Sequence, residues 1–148
     1  MAQQNAVAQK GEGIIQFIKF GIVGVSNTAV DWVVFYVLVN AILDINHSLA
    51  KAVSFIIAVL NSYLWNTIWT FRKEYQKVGG DTGAKSTIFF RFVIVSLIGW
   101  GVNVLVYSWA ERSVSYEIFN KDLIPLVLAS GAAVIWNFFA NKLWTYKK

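Results

Sequence analysis

The charged residues that lie inside apolar stretches of this chain are the ones whose chemistry needs an explanation. Lys19 and Arg91 each lie one to two helical turns inside such a stretch, with phenylalanines on both sides. The planar guanidinium of arginine suits phosphate oxygens, and a lysine ammonium adds positive charge. The pair therefore predicts a site for an anionic lipid headgroup whose phosphate both cations bind. The alternative is that both side chains snorkel to the interface and only anchor the helices.

Asp31 is the acidic residue that lies deepest in an apolar stretch. On one helix it would lie about 18 Å from Lys19, at roughly 1.5 Å per residue. A carboxylate inside a membrane costs at least about 2.5 kcal/mol, so Asp31 is expected to face other helices or a polar cavity. It could pair with Lys51, or accept hydrogen bonds in its protonated form, and so fix the helices. It could instead recognise a polar ligand or carry protons.

Six asparagines accompany Asp31 in the apolar stretches. Amides commonly form hydrogen bonds across helix interfaces, so some of them are expected to hold helices together. Such a number of amides also indicates a polar groove that could replace water around sugar hydroxyls. The predicted groove residues are Asn27, Asp31, Asn61, Asn66, Asn103, Asn137 and Asn141.

The elements that must position these residues are long apolar stretches. Hydrophobic residues make up 57% of the 148 residues and charged residues 14%, whereas a soluble domain carries about 25% charged residues. A helix needs about 20 apolar residues to span a bilayer, and four stretches qualify, at 14–39, 49–71, 87–110 and 123–146. The sequence therefore predicts an all-α membrane protein with four transmembrane helices. The lack of cysteine excludes disulfides and cysteine-based zinc sites, and no metal or cofactor is expected.

The distribution of positive charge predicts the orientation of the helices. Ten of the thirteen lysines and arginines lie at the end of the helices that carries both termini and the middle loop. This bias predicts that both termini are cytoplasmic. The net charge of +5 follows from this topology, so no nucleic-acid partner is expected. The predicted organisation is a polar N-terminal segment at 1–13, a first transmembrane hairpin at 14–71, a cytoplasmic loop at 72–86 and a second transmembrane hairpin at 87–148.

The two predicted hairpins repeat each other. The segment from Asn66 to Lys73 aligns with the segment from Asn141 to Lys148 at an offset of 75. Both contain Asn-x-x-Trp-Thr followed by an aromatic residue and two basic residues. Residue 19 aligns with residue 91 at an offset of 72. Because each repeat holds an even number of spans, the two halves are expected to have the same orientation, as a parallel repeat.

Four motifs follow one another along the chain. The first is Phe17-Ile18-Lys19-Phe20-Gly21-x-x-Gly24-x-x-Asn27-Thr28-x-x-Asp31, and the second is Asn61-x-x-x-x-Asn66-x-x-Trp69-Thr70-Phe71. The third is Arg91-Phe92, and the fourth is Asn137-x-x-x-Asn141-x-x-Trp144-Thr145-Tyr146, in which phenylalanine is the common last residue. In this order the motifs resemble the GtrA-like family of four-span membrane proteins, and the resemblance covers nearly all of the chain after residue 13.

The resemblance implies a multi-pass protein of the bacterial cytoplasmic membrane that works in cell-surface polysaccharide or teichoic-acid glycosylation. It further implies a flippase, which moves a polyprenyl-phosphate-linked monosaccharide such as undecaprenyl-phosphate-glucose to the outer leaflet. The implied partners are a synthase that makes the lipid-linked sugar and a glycosyltransferase that uses it outside. On this basis Lys19 and Arg91 would bind the phosphate, and Asp31 and the amides would form a polar track. No motif identifies the sugar.

Other functions are compatible with four short spans. A proton-coupled small multidrug exporter would also use an intramembrane acid such as Asp31, but such exporters often insert in both orientations, which the charge bias does not permit. A non-transporting scaffold for a membrane glycosyltransferase would use the amides as helix interfaces. An enzyme is not expected, because no pair of titratable groups forms an acid–base or nucleophilic constellation. Four helices enclose little volume, so the groove could be formed by the two halves of one chain or by a homodimer.

Overall fold

Helices account for nearly all of the residues that the computed structural model describes, which are 2–41, 46–113 and 123–147. Their bounds are α1 Ala2–Ala41, α2 His47–Trp65, α3 Arg72–Gln76, α4 Thr82–Ser113 and α5 Leu123–Ala140. A π-helical turn follows α2 at Asn66–Thr70 and another follows α5 at Asn141–Thr145, and we call them the first and second π-turns. No strand occurs in the three described ranges.

Within the described ranges, four helical segments are long and apolar enough to span a membrane, namely Gly11–Ala41, His47–Thr70, Thr82–Ser113 and Ile124–Thr145. Many of their large apolar side chains are uncovered, with Val25 75% and Leu105 71% exposed. Apolar side chains around much of the circumference of a helix suit hydrocarbon rather than water. The prediction of an all-α membrane protein with four transmembrane helices is confirmed.

The helices extend further than the apolar stretches. α1 begins at Ala2 although 1–13 is polar, because alanine, glutamine and lysine are good helix formers. The segment 72–86, predicted as a loop, contains α3 and the start of α4, so that only 77–81 separates them. Hydropathy shows where a helix can enter hydrocarbon, whereas backbone hydrogen bonding decides where it ends. The connections at 42–45 and 114–122 lie outside the described residues.

Contacts divide the chain into two compact units, one ending at Gly79 and the other beginning at Gly80. The first unit contains α1, α2, the first π-turn and α3, and the second contains α4, α5 and the second π-turn. In each unit a long helix packs along a shorter one that ends in a π-turn. We call this end of each unit the π-turn end, and the other the connection end. Gly79 has a φ of 63°, a left-handed conformation that glycine adopts without strain.

The two π-turns close in the same way. The amide of Phe71 donates to the carbonyl oxygen of Asn66 at 2.7 Å, and the amide of Tyr146 donates to that of Asn141 at 2.9 Å. These bonds join residues five apart and make a wider turn than an α-helix does. The turn coincides with the Asn-x-x-Trp-Thr motif in both units. The repeat in the sequence is therefore also a repeat in the structure of the units.

One level of the helix packing carries an asparagine in both units, but on different helices. In the second unit Asn137 of α5 packs against Gly99 of α4, where a Cβ on the glycine would lie 2.4 Å from the asparagine Nδ2. The offsets of 72 and 75 place Asn27 of α1 and Ser62 of α2 at the equivalent positions of the first unit. The Oδ1 atoms of both asparagines are buried. The asparagine therefore lies on α1 in the first unit and on α5 in the second.

Gly99→Ala is expected to lower the free energy of unfolding by about 1–3 kcal/mol, because the added methyl group overpacks the contact with Asn137. Combining it with Asn137→Ser, which recreates the small partner found in the first unit, is expected to recover most of that loss. The measurement is the thermal midpoint of the detergent-solubilised protein, read by size-exclusion chromatography after heating.

Gly101→Ala is the matched control on the same helix, since a Cβ there meets no atom within 4 Å. It is expected to keep or slightly raise the midpoint, because alanine is a better helix former than glycine. Equal midpoints for the two alanine variants would contradict the assigned packing.

Candidate functional site

Each unit places one cation over the tryptophan of its π-turn. In the first unit Lys19 Nζ lies 5.3 Å from the centroid of the Trp69 ring. In the second unit the guanidinium carbon of Arg91 lies 5.4 Å from the centroid of the Trp144 ring, and Arg91 Nη1 donates to the carbonyl oxygen of Trp144 at 3.1 Å. An aromatic face attracts a cation without neutralising it. The two predicted phosphate-binding residues therefore form two equivalent cation sites, one in each unit.

The π-turn presents its tryptophan outward while its polar residues turn inward. Asn66 and Thr70 are almost fully buried, with 1% and 4% of their surfaces exposed, whereas Trp69 is 38% exposed. Asn66 Nδ2 donates to the carbonyl oxygen of Ser62 at 2.9 Å, which ties the side chain to the end of α2. Asn141 makes the same bond to its preceding turn at 2.8 Å. The motif thus fixes the tryptophan against which each cation lies.

A pocket of about 370 Å³ adjoins Lys19 at the π-turn end of the first unit. Its other charged lining residues are Arg72 and Lys73 from the start of α3 and Glu12 from α1. Three cations and one carboxylate give the pocket an excess of positive charge. Lysine and arginine side chains that converge in this way suit an anion such as a phosphate ester.

The carboxylate in the pocket pairs with one of the three cations. Lys73 Nζ donates to Glu12 Oε1 at 2.7 Å, and this hydrogen bond raises the pKa of the lysine above its usual value. Within the part of the chain that the structure describes, no carboxylate forms an ion pair with Lys19 or Arg72. These two side chains are therefore the groups best placed to meet a phosphate.

An apolar groove begins beside the charged pocket. It has a volume of about 360 Å³, and its lining includes Ile68 and Trp69, which also line the pocket. In the second unit a groove of about 600 Å³ occupies the equivalent place, with Leu143 and Trp144 at the corresponding positions. A charged pocket that shares a wall with an apolar groove fits a lipid whose phosphate enters the pocket and whose tail lies in the groove.

Asp31 is paired with a cation at the connection end of the first unit. Lys51 Nζ donates to Asp31 Oδ2, and Ser54 Oγ donates to Asp31 Oδ1 at 2.7 Å. The pair with Lys51 was one of the alternatives that the sequence left open, and the structure contains it. Asp31 thus lies at the opposite end of the unit from the charged pocket.

The predicted amides of the polar groove divide equally between the units. They are Asn27, Asn61 and Asn66 in the first unit and Asn103, Asn137 and Asn141 in the second. All except Asn103 have one buried amide atom with no hydrogen-bond partner among the described residues. A buried polar atom without a partner costs about 1–3 kcal/mol. A groove lined by these residues stays a prediction, but their unused hydrogen-bonding capacity is a property of both units.

Sequence reasoning did not predict that Glu12, Arg72 and Lys73 line the same pocket as Lys19. It placed them in a polar segment and in a loop. Two signals were available in the sequence. The Asn-x-x-Trp-Thr-aromatic motif ends in two basic residues in both repeats, and Glu12 precedes Lys19 by seven residues, which puts both on one helix face.

A family model of the GtrA/DPMS transmembrane domain matches residues 19–146. The chain belongs to this family. The resemblance to GtrA-like proteins that the four motifs indicated is therefore confirmed, and the matched range contains every predicted site residue.

Three relatives are similar to this GtrA/DPMS chain along most of its length. YngA, an uncharacterized membrane protein of Bacillus subtilis strain 168, is 26% identical over 129 residues, which are 86% of this chain and 77% of YngA. The bactoprenol-linked glucose translocase of Shigella phage SfV is 25% identical over 131 residues, which are 88% of this chain and 94% of the translocase. The dolichol-phosphate mannosyltransferase of Pyrococcus furiosus is 31% identical over 129 residues, which are 86% of this chain and 34% of the enzyme. No solved structure matches the chain significantly.

Lys19→Gln and Arg72→Gln are each expected to weaken the binding of a phosphate-headed lipid about tenfold, because a hydrogen bond to a charged group contributes roughly 1.5–3 kcal/mol. Glu12→Gln is expected to strengthen binding, since it leaves Lys73 without its carboxylate. The measurement is the dissociation constant of a short-chain polyprenyl phosphate, titrated into the protein in nanodiscs of neutral lipid.

Lys77→Gln removes a positive charge just after α3 and outside the lining of the pocket, so it controls for net charge. It is expected to leave the dissociation constant within about twofold of the starting value, because exposed charges interact weakly through water. A loss as large as that of Lys19→Gln would mean that net charge, and not the pocket, attracts the lipid.

Proposed function

We propose that this protein is a flippase, which moves a polyprenyl-phosphate-linked monosaccharide such as undecaprenyl-phosphate-glucose across the bacterial cytoplasmic membrane. The translocated lipid would serve cell-surface polysaccharide or teichoic-acid glycosylation. The observation that carries the proposal is the charged pocket of the first unit, which shares Ile68 and Trp69 with an apolar groove. The phage relative, which is named as a translocase of bactoprenol-linked glucose and is matched over 94% of its length, supports the same function.

The chemistry of the substrate explains why these features belong together. A polyprenyl tail stays in hydrocarbon at no cost, whereas the phosphate and sugar are expensive to bring into it. Lys19 and Arg72 would bind the phosphate in the first unit, and Arg91 would do so in the second. The asparagines would offer hydrogen bonds to sugar hydroxyls. Their unpartnered atoms are closed to solvent in this structure, so the side chains around them must move before a sugar reaches them.

The direction of transport follows from the proposed orientation. The positive-charge bias predicts that both termini, and with them the π-turn ends, are cytoplasmic. The charged pocket would then receive the lipid from the inner leaflet, where a synthase makes it, and a glycosyltransferase would use the lipid at the outer face.

Three other functions fit these observations less well. A multidrug exporter needs its intramembrane acid free for a cationic drug, but Asp31 already pairs with Lys51. Glycosyl transfer, the activity in the name of the archaeal relative, belongs to a protein of which this chain spans 34%. The activity that we propose involves no covalent chemistry. A scaffold for a glycosyltransferase needs neither the charged pocket nor the groove beside it.

Transport is tested with the purified protein in liposomes that contain a short-chain polyprenyl-phosphate-glucose. A membrane-impermeant oxidant is added outside, and the oxidation of the inner-leaflet pool of glucose is followed. The protein is expected to expose this pool within minutes. Lys19→Gln combined with Arg91→Gln is expected to slow the oxidation about tenfold or more, because both phosphate-binding cations are gone.

Lys77→Gln again serves as the matched charge control and is expected to keep the rate of the unaltered protein. An undiminished rate in the double variant would overturn the assignment of Lys19 and Arg91. A rate no faster than that of protein-free liposomes, with any common sugar headgroup, would overturn transport itself and favour the scaffold.

A further inference from the structure

The connection end of the first unit holds a second lysine next to an aromatic ring. Lys51 Nζ lies 6.0 Å from the centroid of the Phe35 ring, as Lys19 Nζ lies 5.3 Å from the Trp69 ring at the π-turn end. The Lys51 side chain is 56% exposed, so an anion outside the unit can reach it. The same arrangement of ammonium and aromatic face therefore occurs at both ends of the unit.

Unlike Lys19, Lys51 is paired with a carboxylate. Asp31 accepts a hydrogen bond from Lys51, and it is the less exposed partner, with 18% of its side chain exposed. Ser54 Oγ donates to the other oxygen of the carboxylate at 2.7 Å. If Lys51 turns away, the carboxylate therefore keeps its hydrogen bond from Ser54 and loses only the one from Lys51.

The fold of a unit does not require this ion pair. In the second unit the offsets of 72 and 75 place Asn103, Leu126 and Ala129 at the positions of Asp31, Lys51 and Ser54. The second unit nevertheless packs its two long helices together and closes with the same π-turn. Because a carboxylate inside a membrane is costly, a pair that the equivalent unit lacks needs an explanation other than helix packing.

We infer that Lys51 is a further phosphate-binding residue, at the opposite end of the first unit from the charged pocket, and that Asp31 pairs with it as an internal anion until a lipid phosphate displaces the carboxylate. This inference rests on the proposed function and extends it to the site where the lipid leaves. A phosphate that displaces Asp31 forms an ion pair with Lys51, while the carboxylate keeps its hydrogen bond from Ser54. When the phosphate leaves, Asp31 returns to Lys51, so that the lysine does not retain the lipid.

The test uses a short-chain polyprenyl phosphate with a photoreactive diazirine on the isoprene unit next to the phosphate. The protein is reconstituted in nanodiscs of neutral phosphatidylcholine, irradiated, and digested, and the labelled peptides are identified by mass spectrometry. Labelling is expected around residue 19 and, more weakly, around residue 51. Asp31→Asn is expected to raise the labelling around residue 51 about fivefold, because an exposed ion pair contributes up to about that factor to the competition.

The lysine variants show whether the charge is responsible. Lys51→Gln is expected to abolish the labelling around residue 51, both alone and in combination with Asp31→Asn, and Lys51→Arg is expected to keep it. Arg112→Gln removes a cation at the connection end of the second unit and is the matched control, with labelling unchanged. If Asp31→Asn does not fold, the comparison of Lys51→Gln with Lys51→Arg still decides the assignment of the lysine.

The rate of transport separates a binding role from a structural one. Asp31→Asn is expected to slow oxidation of the inner-leaflet glucose in liposomes about fivefold while it raises labelling around residue 51, because the lipid is retained there. If the ion pair were merely structural, Asp31→Asn would lower both the transport rate and the labelling around residue 51. Labelling around residue 19 with none around residue 51 would overturn this inference and leave the proposed function standing. No labelling at either residue would overturn the proposed function as well.

Discussion

A cation that is to bind a phosphate beside hydrocarbon needs a neighbour that attracts it without neutralising its charge. The arrangement of each unit depends on how that neighbour is positioned. The π-turn supplies a tryptophan face, against which Lys19 lies in the first unit and Arg91 in the second. A carboxylate in that place would stabilise the cation more strongly, and a phosphate would first have to displace it. An aromatic ring keeps the cation in position and leaves its charge available. The buried asparagine of the same turn ties it to the preceding helix.

The four helices and their repeat could be predicted from the sequence, because apolar stretches of sufficient length leave the backbone no alternative to helix inside a membrane. The π-helical turns at the helix ends could not be predicted. A backbone hydrogen bond between residues 66 and 71, instead of 66 and 70, does not change the hydropathy pattern. The helix in the polar segment from Ala2 onward was missed for the same reason. Length and polarity determine what can enter a membrane, and they say little about where a helix ends.

The sequence predicted the chemistry of the candidate site better than it predicted which residues form the site. Lys19 stood out because a cation inside an apolar stretch is rare. Arg72 did not, because basic residues that follow a transmembrane helix are common as topology anchors. Only the structure places it with Lys19 around one pocket. Asp31 illustrates a third case, in which the sequence named Lys51 as one partner among several and the geometry selected it.

The exchange of an asparagine between helices restricts how two duplicated units can diverge. At equivalent positions the first unit carries an amide at residue 27 and a serine at 62, and the second carries a glycine at 99 and an amide at 137. If one arrangement changes into the other by single substitutions, the intermediate carries either an amide at both positions or a small residue at both positions. The space that Asn137 occupies beside Gly99 leaves no room for a larger side chain on the facing helix. An order of substitutions that avoids two facing amides therefore loses one amide first and gains the other afterwards.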